Sequence, residues 1–268
     1  MDKPMTQAHR PLAIVTGASS GIGFHLARIA AEKGYDLIVA ADQPLDEAVL
    51  DFRSLGATVQ FVQVELASKE GVDKVLHLVE GRVVDVLIAN AGHGLGGAFL
   101  DQNFADVQHV IDTNITGTIY LLQQVGHTMR RQGRGRILVT GSIAGFQPGA
   151  FQAVYNATKA FIDSFVAALR NELKDDEAIS ITCLMPGATD TEFFARADML
   201  DTKVGSDKSA QMDPAEVAEI GFQAMLDGEA DVVAGWKNKA MVALAKVLPS
   251  QVVAQQHRGL AEPGSAKG

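Results

Sequence analysis

Short apolar segments alternate with amphipathic segments along most of the chain, and this alternation is the feature that most restricts its fold. Compact apolar runs predict strands at 11–16, 36–41, 58–64, 83–89, 135–140, 179–185 and 231–235. Helices are predicted between them at 21–33, from Pro44, and at 68–80, 104–132, 151–174 and 214–227. Near-continuous apolar strands that alternate with helices are typical of a parallel sheet covered on both faces. The sequence therefore predicts an α/β fold with a doubly wound, mostly parallel sheet.

One domain is expected, because α/β folds often reach 268 residues without division. We expect this domain to span residues 1–258 and to include an amphipathic helical extension from about residue 236. The segment 188–212 is rich in Asp, Thr, Lys, Ser and Gly and is predicted to be an irregular insertion. The polar residues 259–268 are predicted to be disordered.

The charge and residue content argue against several other classes of protein. The net charge is −9 and no cluster of Lys and Arg could follow a phosphate backbone, so nucleic acid is not an expected partner. No membrane span and no signal peptide is predicted, so the expected location is cytoplasmic. The single cysteine, Cys183, lies in an apolar run and is expected to be a buried, unreactive thiol. The histidines show no metal-ligand spacing such as HExxH, so no metal site is predicted.

A glycine-rich loop, TGASSGIG at 16–23, lies between the first predicted strand and the first predicted helix. Gly17, Gly21 and Gly23 would permit close approach of a diphosphate, and the helix N-terminus would offer unpaired N–H groups. A turn without any ligand is the alternative. The position of the loop favours nucleotide binding, and the other contact residues predicted within it are Ser19, Ser20 and Ile22.

Asp42 follows the second predicted strand, where an acidic residue bonds the ribose hydroxyls of a dinucleotide in folds of this kind. A carboxylate there would repel the 2′-phosphate of NADP, and the nearby Ser20 and Gln43 are uncharged. The sequence therefore predicts NAD(H) in preference to NADP(H). An ordinary solvated Asp at the end of a strand is the alternative.

Tyr155 and Lys159 lie four residues apart in the predicted helix 151–174, so the phenol and the ammonium group project from one face. A tyrosine is normally protonated near neutral pH, and a nearby cation favours the phenolate. Such a tyrosine is suited to donating and accepting protons. A surface pair without function is the alternative, and the two residues alone do not exclude it.

The motifs together resemble those of the short-chain dehydrogenase/reductase family in its single-domain form. They are the glycine loop, Asn90-Ala91-Gly92, Asn114, Ser142, Tyr155-x3-Lys159 and Pro186-Gly187, in this order. The resemblance implies a Rossmann-like, seven-stranded, doubly wound sheet with a nicotinamide cofactor. It also implies hydride transfer to or from a carbon that bears oxygen.

The resemblance further implies roles for individual residues. Tyr155 would act as general acid or base, Lys159 would bond the nicotinamide ribose, and Ser142 would bond the substrate oxygen. Asn114 would hold a water that links Lys159 to solvent. The remaining cofactor contacts that it implies are Asn90, Ala91, Gly92, Pro186, Gly187, Thr189 and Thr191. Structural alternatives exist for several of them, such as a strand-end cap for Ser142 or turn chemistry for Asn90.

The substrate is expected beside the nicotinamide, where the ends of the strands meet variable loops. The candidate contact residues are His93, Phe146, Gln147, Gln152 and Phe193, the last in a lid formed by 188–212. Their mostly apolar character suggests a moderately hydrophobic alcohol or ketone. The helix after Gly235 is expected to pack against protein, either over the site or on a neighbouring subunit, in preference to a membrane surface.

The predicted function is NAD(P)-dependent interconversion of a secondary alcohol and a ketone by a homodimer or homotetramer. Two alternatives remain open from the sequence. One is a dinucleotide-binding redox sensor without turnover, against which the intact set of Ser142, Tyr155 and Lys159 argues. The other is an epimerase or dehydratase on the same fold.

Overall fold

A seven-stranded parallel sheet forms the centre of the computed structural model, which describes residues 10–176 and 179–267. Its strands are β1 (Leu12–Thr16), β2 (Asp36–Ala41), β3 (Val59–Gln63), β4 (Val86–Ala89), β5 (Gly135–Thr140), β6 (Ile179–Met185) and β7 (Asp231–Val233). They pair in the order β3-β2-β1-β4-β5-β6-β7, always in parallel. The order reverses between β1 and β4, and the crevice at such a point is where doubly wound folds bind ligands.

Helices cover both faces of this sheet. They are α1 (Gly21–Glu32), α2 (Asp46–Ser54), α3 (Lys69–His77), α4 (Phe104–Ile111), α5 (Thr118–Gln132), α6 (Ala153–Glu172), α7 (Phe193–Arg196), α8 (Lys203–Ser206), α9 (Pro214–Asp227), α10 (Trp236–Ala245) and α11 (Ser250–Ala261). Successive side chains of a strand point to opposite faces, so Leu12 and Ile14 pack with α5 and α6, whereas Ala13 and Val15 pack with α1 and α9. The doubly wound α/β fold predicted from the sequence is confirmed.

The predicted helix 104–132 is interrupted by a π-helical segment, Asp112–Gly117, between α4 and α5. Within it, Gly117 lies so close to the carbonyl oxygen of Leu66 that a Cβ would overlap that atom. Such wide helical turns occur frequently at functional sites. The prediction of one continuous helix is therefore wrong in its middle, and the interruption brings Asn114 to the loop that follows β4.

The lid segment 188–212 and the C-terminal residues are more regular than the sequence indicated. The short helices α7 and α8 form within the expected irregular insertion. Helix α11 extends to Ala261, which is buried, and the N–H of Gly264 donates to Asp201 Oδ2 at 2.7 Å. The expectation of disorder over 259–268 is therefore not met at 259–267, and residue 268 lies outside the described residues.

Candidate active site

The glycine loop and the turn after β4 form one wall of a cleft at the carboxyl ends of the strands. Gly17 and Gly21 have φ angles of +67° and +57°, which side-chain-bearing residues rarely adopt. A Cβ on Gly17 would lie 2.9 Å from Asn90 Nδ2, and one on Gly23 would overlap both that atom and the Gly17 carbonyl oxygen. Thr16 fastens the two loops together, because its hydroxyl accepts the N–H groups of Asn90 and Ala91. In this glycine wall the two loops therefore pack so closely that only glycine fits at these positions.

The cleft contains nearly all the residues that the sequence predicted for catalysis and cofactor binding. Its volume of about 670 Å³ lies within the range of about 300–1,000 Å³ that is usual for ligand pockets. The predicted residues that line it are Gly17, Ser19, Ser20, Gly21, Ile22, Gly23, Asp42, Asn90, Ala91, Gly92, Ser142, Tyr155, Lys159, Pro186, Gly187, Thr189 and Thr191. These residues come from loops after β1, β2, β4, β5 and β6 and from α1 and α6, so the fold brings together positions that are far apart in sequence.

Tyr155 lines this cleft beside Ser142 and is half-buried. Burial raises the pKa of Tyr155 to about 12, while the hydrogen bond with Ser142 acts in the opposite direction. The ring of Phe193, from the lid, lies 5.0 Å from the tyrosine ring between centroids. Ser142 also accepts the N–H of Ala144 at 3.1 Å, so it caps the short 3₁₀ helix Ile143–Phe146 as well as contacting the phenol. Tyr155 therefore holds its proton firmly in this structure.

Lys159 is buried one helical turn after Tyr155, and its ammonium group donates to the carbonyl oxygen of Thr140 at 2.8 Å. Its Nζ atom lies 5.9 Å from the centroid of the Tyr155 ring. Burial lowers the pKa of Lys159, although Asp163 opposes this effect. The sequence predicted that a nearby cation would favour the phenolate of Tyr155. In the structure desolvation of the phenol dominates that pKa instead.

Asn114 connects three parts of the site through its side-chain amide. Its Oδ1 accepts the N–H of His93 at 2.8 Å, and its Nδ2 donates to the His93 carbonyl oxygen and to Thr158 Oγ1, both at 2.9 Å. A Cβ on Gly92 would lie 3.2 Å from Asn114 Oδ1 and 3.6 Å from Lys159 Nζ. Asn114 and Lys159 therefore approach the same glycine from two helical segments.

Asp163 is a buried carboxylate beneath the site that the sequence did not indicate. A Cβ on either Gly141 or Gly145, which flank Ser142, would overlap its carboxylate oxygens. Burial raises the pKa of Asp163 to about 6, although the charge of Lys159 lowers it. Cys183 contacts Asp163 Oδ1 at 3.7 Å, and burial raises the pKa of this thiol. The predicted burial of Cys183 is confirmed.

Asp42 lies at the other end of the cleft, where two further side chains contact it. His93 Nε2 lies 3.3 Å from Asp42 Oδ2, and the guanidinium of Arg196, from the lid, lies 3.6 Å from Oδ1. The hydrogen bond from His93 holds the pKa of Asp42 well below its usual range, with Gln43 and Arg196 acting in the same direction. The sequence predicted His93 as a substrate contact. The structure places its imidazole against Asp42, because the carboxylate is its hydrogen-bond partner.

The opposite half of the cleft is built from the lid and from the C-terminal helices. Gln147, Gln152 and Phe193 line it as predicted, but Phe146 does not. Phe146 is the last residue of the 3₁₀ helix after Ser142, and its ring packs against the core on the α5 and α6 side of the sheet. Lys246 Nζ lies 5.0 Å from the centroid of this ring. The lining residues that the sequence did not indicate include Arg196, Asn238, Met241, His257, Leu260 and Ala261.

Helix α11 supplies the least expected part of this lining. Its buried residues, Val253, His257 and Ala261, recur every four positions, and this helical spacing was the available signal in the sequence. His257 Nδ1 lies 2.9 Å from the carbonyl oxygen of Ala150, and burial lowers the pKa of its imidazole. Helix α10 lies on the other side, where Asn238 packs directly on Gly187. The C-terminal helices therefore pack over the site, as the sequence led us to expect for the segment after Gly235.

The family model for short-chain dehydrogenases matches residues 11–199, which is most of the sheet together with the complete glycine loop, the turn after β4 and the Tyr155–Lys159 pair. The chain belongs to the short-chain dehydrogenase family. This membership makes the protein an oxidoreductase. None of the helices in the described part of this short-chain dehydrogenase is both long and apolar enough to cross a membrane.

Comparisons with individual members agree with the family assignment. An uncharacterized oxidoreductase of Staphylococcus epidermidis is 30% identical over 203 residues, which cover 74% of this chain and 86% of that protein. A short-chain dehydrogenase from Sphingobium yanoikuyae, solved in complex with NADPH, is 27% identical with a TM-score of 0.77, covering 89% of this chain and 96% of that one. The bulky-bulky ketone specific alcohol dehydrogenase from Comamonas testosteroni is 27% identical with a TM-score of 0.73, covering 89% and 95%.

Proposed function

We propose that this short-chain dehydrogenase interconverts a secondary alcohol and a ketone, with a nicotinamide dinucleotide as its cofactor and Tyr155 as general acid and base. The observation that carries the proposal is the placement of Tyr155 beside Ser142 in the same cleft as the glycine wall. A protein that only binds a dinucleotide has no need of a phenol placed in this way. The similar enzymes described as ketone-specific or bound to NADPH support the same reaction class.

The glycine wall fits the diphosphate of a dinucleotide. Gly17 and Gly21 have left-handed backbone, and a Cβ would collide with Asn90 at the first position and with Thr191 at the second, so the turn requires glycine and presents bare backbone. Helix α1 begins at Gly21, and its N-cap, Ser20, makes no capping bond with its side chain. The N–H groups of the first turn and the helix dipole would therefore bind the diphosphate charge. When bound, the nicotinamide ring supplies or takes up the hydride.

Tyr155 and Ser142 carry the proton step. Because burial keeps the pKa of Tyr155 high, the phenol is protonated at neutral pH and can donate to the oxygen of a ketone as that oxygen becomes an alkoxide. Ser142 would hold the same oxygen, which fixes the carbonyl group next to the phenol. In the oxidation direction the tyrosine accepts the proton of the alcohol. The raised pKa therefore favours ketone reduction near neutral pH.

Lys159 and Asn114 would assist the proton transfer between Tyr155 and the substrate oxygen. The Lys159 ammonium group lies near enough to the tyrosine ring to stabilise a phenolate once the proton has been donated. Lys159 would also bond the nicotinamide ribose, in place of or beside its present bond to Thr140. Asn114 fixes the turn at Gly92 next to Lys159, and we propose that it also holds the water through which Tyr155 is reprotonated.

We propose NAD(H) as the preferred form of the cofactor. Asp42 remains ionised because its pKa is held well below its usual range, so it would bond ribose hydroxyls and repel a 2′-phosphate. Arg196 lies 3.6 Å from this carboxylate and partly offsets its charge, which should make the discrimination against NADPH moderate. Dissociation constants for NADH and NADPH, measured from nucleotide fluorescence, test the preference directly.

The substrate half of the cleft fits a moderately hydrophobic ketone. Phe193, Met241 and Leu260 provide apolar surface there, while Gln152 and His257 provide a small number of polar groups. Helix α6 also exposes Phe161, stacked on Phe165 at 6.0 Å between ring centroids. This apolar surface supports the proposed homodimer or homotetramer, which analytical ultracentrifugation of the purified chain tests.

The reaction is tested by following the absorbance of NADH and NADPH while the purified protein is offered ketones of increasing size. Tyr155→Phe should abolish turnover and leave the affinity for NADH unchanged, since only the phenolic oxygen is lost. Tyr35→Phe removes the same atom from a residue that packs against Phe222 on the far helical layer, and it should retain activity. Full activity of Tyr155→Phe would disprove its role. Tight NADH binding without turnover on any substrate would favour a redox sensor.

A further inference from the structure

Two histidines and a glutamate, residue types that can ligate metals, meet from separate elements at the Asp42 end of the cleft. Glu65 follows β3, His93 follows β4, and His109 lies on α4. One possible ligand atom from each lies within 4.8 Å of the others. His109 Nε2 and Glu65 Oε2 are 3.8 Å apart, and the rings of His93 and His109 are 4.8 Å apart between centroids. This cluster, Glu65–His93–His109, does not include any residue of the Tyr155 site.

We propose that the Glu65–His93–His109 cluster binds a divalent transition metal ion of the zinc class. Two imidazoles and one carboxylate form a ligand set that suits zinc, with water in the fourth position. Ligand atoms about 2.1 Å from a tetrahedral ion lie about 3.4 Å from one another, so atoms that now lie within 4.8 Å must approach one another by at most about 1.4 Å. The side chains of Glu65 and His109 are 59% and 39% exposed and can make this movement without disturbing the core.

Asp42 completes the arrangement around the proposed ion. Histidine ligands usually donate their second ring nitrogen to a carboxylate, which orients the imidazole and increases its basicity. His93 Nε2 already lies 3.3 Å from Asp42 Oδ2, so Nδ1 is the ring nitrogen left for a metal. Asn114 holds the backbone of His93 on both its N–H and its carbonyl group, which limits the movement of this ligand. His93 is therefore held in place, and the two exposed residues close on it.

The ion would also act on dinucleotide binding, a consequence that rests on the proposed function. A metal-bound imidazole is a stronger hydrogen-bond donor, so it would hold the Asp42 carboxylate more firmly. Asp42 would then be less available to the ribose hydroxyls of NAD(H). Zinc should therefore weaken the binding of NADH, and NADH should weaken the binding of zinc by the same factor.

Zinc binding is measured first, without nucleotide, on the full chain freed of any affinity tag and of bound metal. Isothermal titration calorimetry should show one zinc ion per chain, and cobalt(II) should give the intense visible absorption of a tetrahedral site. His109→Ala and Glu65→Gln should each lower the affinity at least about tenfold, because the first removes a ligand atom and the second removes the negative charge of a ligand. His127→Ala, which removes an exposed histidine of α5 outside the cluster, should retain the wild-type affinity. Melting curves confirm that the variants are folded.

The outcomes separate the metal site from the proposed function. Absence of zinc binding at micromolar concentration, or equal affinity of wild type and His109→Ala, would overturn the site. NADH titrations should then show at least about threefold weaker binding in the presence of zinc for wild type and no change for His109→Ala. An NADH affinity of the wild type that zinc leaves unchanged would overturn the link to Asp42. If NADH binds to no form of the protein, the proposed function fails while the zinc titration still decides the metal site.

Discussion

Replacement of Asp163 by Asn is expected to stabilise the folded protein above neutral pH. Its carboxylate is enclosed under the loop between Gly141 and Gly145, and burial raises its pKa from 3.8 to about 6. The folded state therefore favours the protonated acid, and this contribution is fully present below pH 4 and lost as the pH rises through 6. By pH 8 the cost of the ionised carboxylate has reached about 3 kcal/mol, at about 1.4 kcal/mol for each pKa unit. Asn has the shape of the protonated acid and does not ionise.

Urea unfolding followed by circular dichroism at pH 5 and pH 8 measures this effect. Relative to wild type, Asp163→Asn should gain about 1.5 kcal/mol more at pH 8 than at pH 5, because about half of the cost is already present at pH 5. The attraction to Lys159 does not change this expectation, since it is already part of the pKa of Asp163. Glu219→Gln removes an equal charge from an exposed position on α9 and is the control. A stability difference between Asp163→Asn and wild type that is the same at both pH values would refute the reasoning.

Three further predictions concern the walls of the cleft. Gly23→Ala should weaken NADH binding at least about tenfold, because a Cβ overlaps the Gly17 carbonyl oxygen and Asn90 Nδ2; undiminished affinity in a fluorescence titration would contradict the glycine wall. Asp42→Ala should bring the dissociation constants of NADPH and NADH closer together, and a wild type that already binds NADPH more tightly would show that Asp42 does not select NADH. Removal of residues 250–268, and with them α11, should raise KM for a bulky ketone more than for a small one, whereas equal changes would mean that this helix does not shape the substrate half.

The strands could be predicted because each is marked by a run of apolar residues that are neighbours in the sequence. The observed bounds of β2, β5 and β6 agree with the apolar runs in the sequence, since strands buried on both faces are mostly apolar along their length. The start of α9 was also predictable, because Asp213 accepts the N–H of Ala215 as an N-cap and Pro214 follows it. The π-helical interruption at 112–117 had no such signal. It depends on the contact of Gly117 with Leu66, which only the folded chain provides.

The same distinction applies to the site. The residues of the glycine wall and the Tyr155–Lys159 pair lie within short motifs, and the structure brings them into one cleft. Groups that act through distant partners could not be predicted in this way. His93 contacts Asp42 because two loops meet, and Asp163 is enclosed because the loop around Ser142 lies on top of it. Glu65, His93 and His109 form no local motif in the sequence, because only the fold brings them together.

The π-helical segment makes the length of this part of the chain as important as its composition. A π-helical turn holds about one residue more than an α-helical turn, so removal of one residue between 112 and 117 would let this segment close as ordinary α-helix. Leu121, Val125 and Met129 would then keep their places against the sheet, whereas Asn114 would lose its register with His93. A single-residue deletion here should therefore spare the helices on both sides and disrupt the contact between Asn114 and the turn after β4.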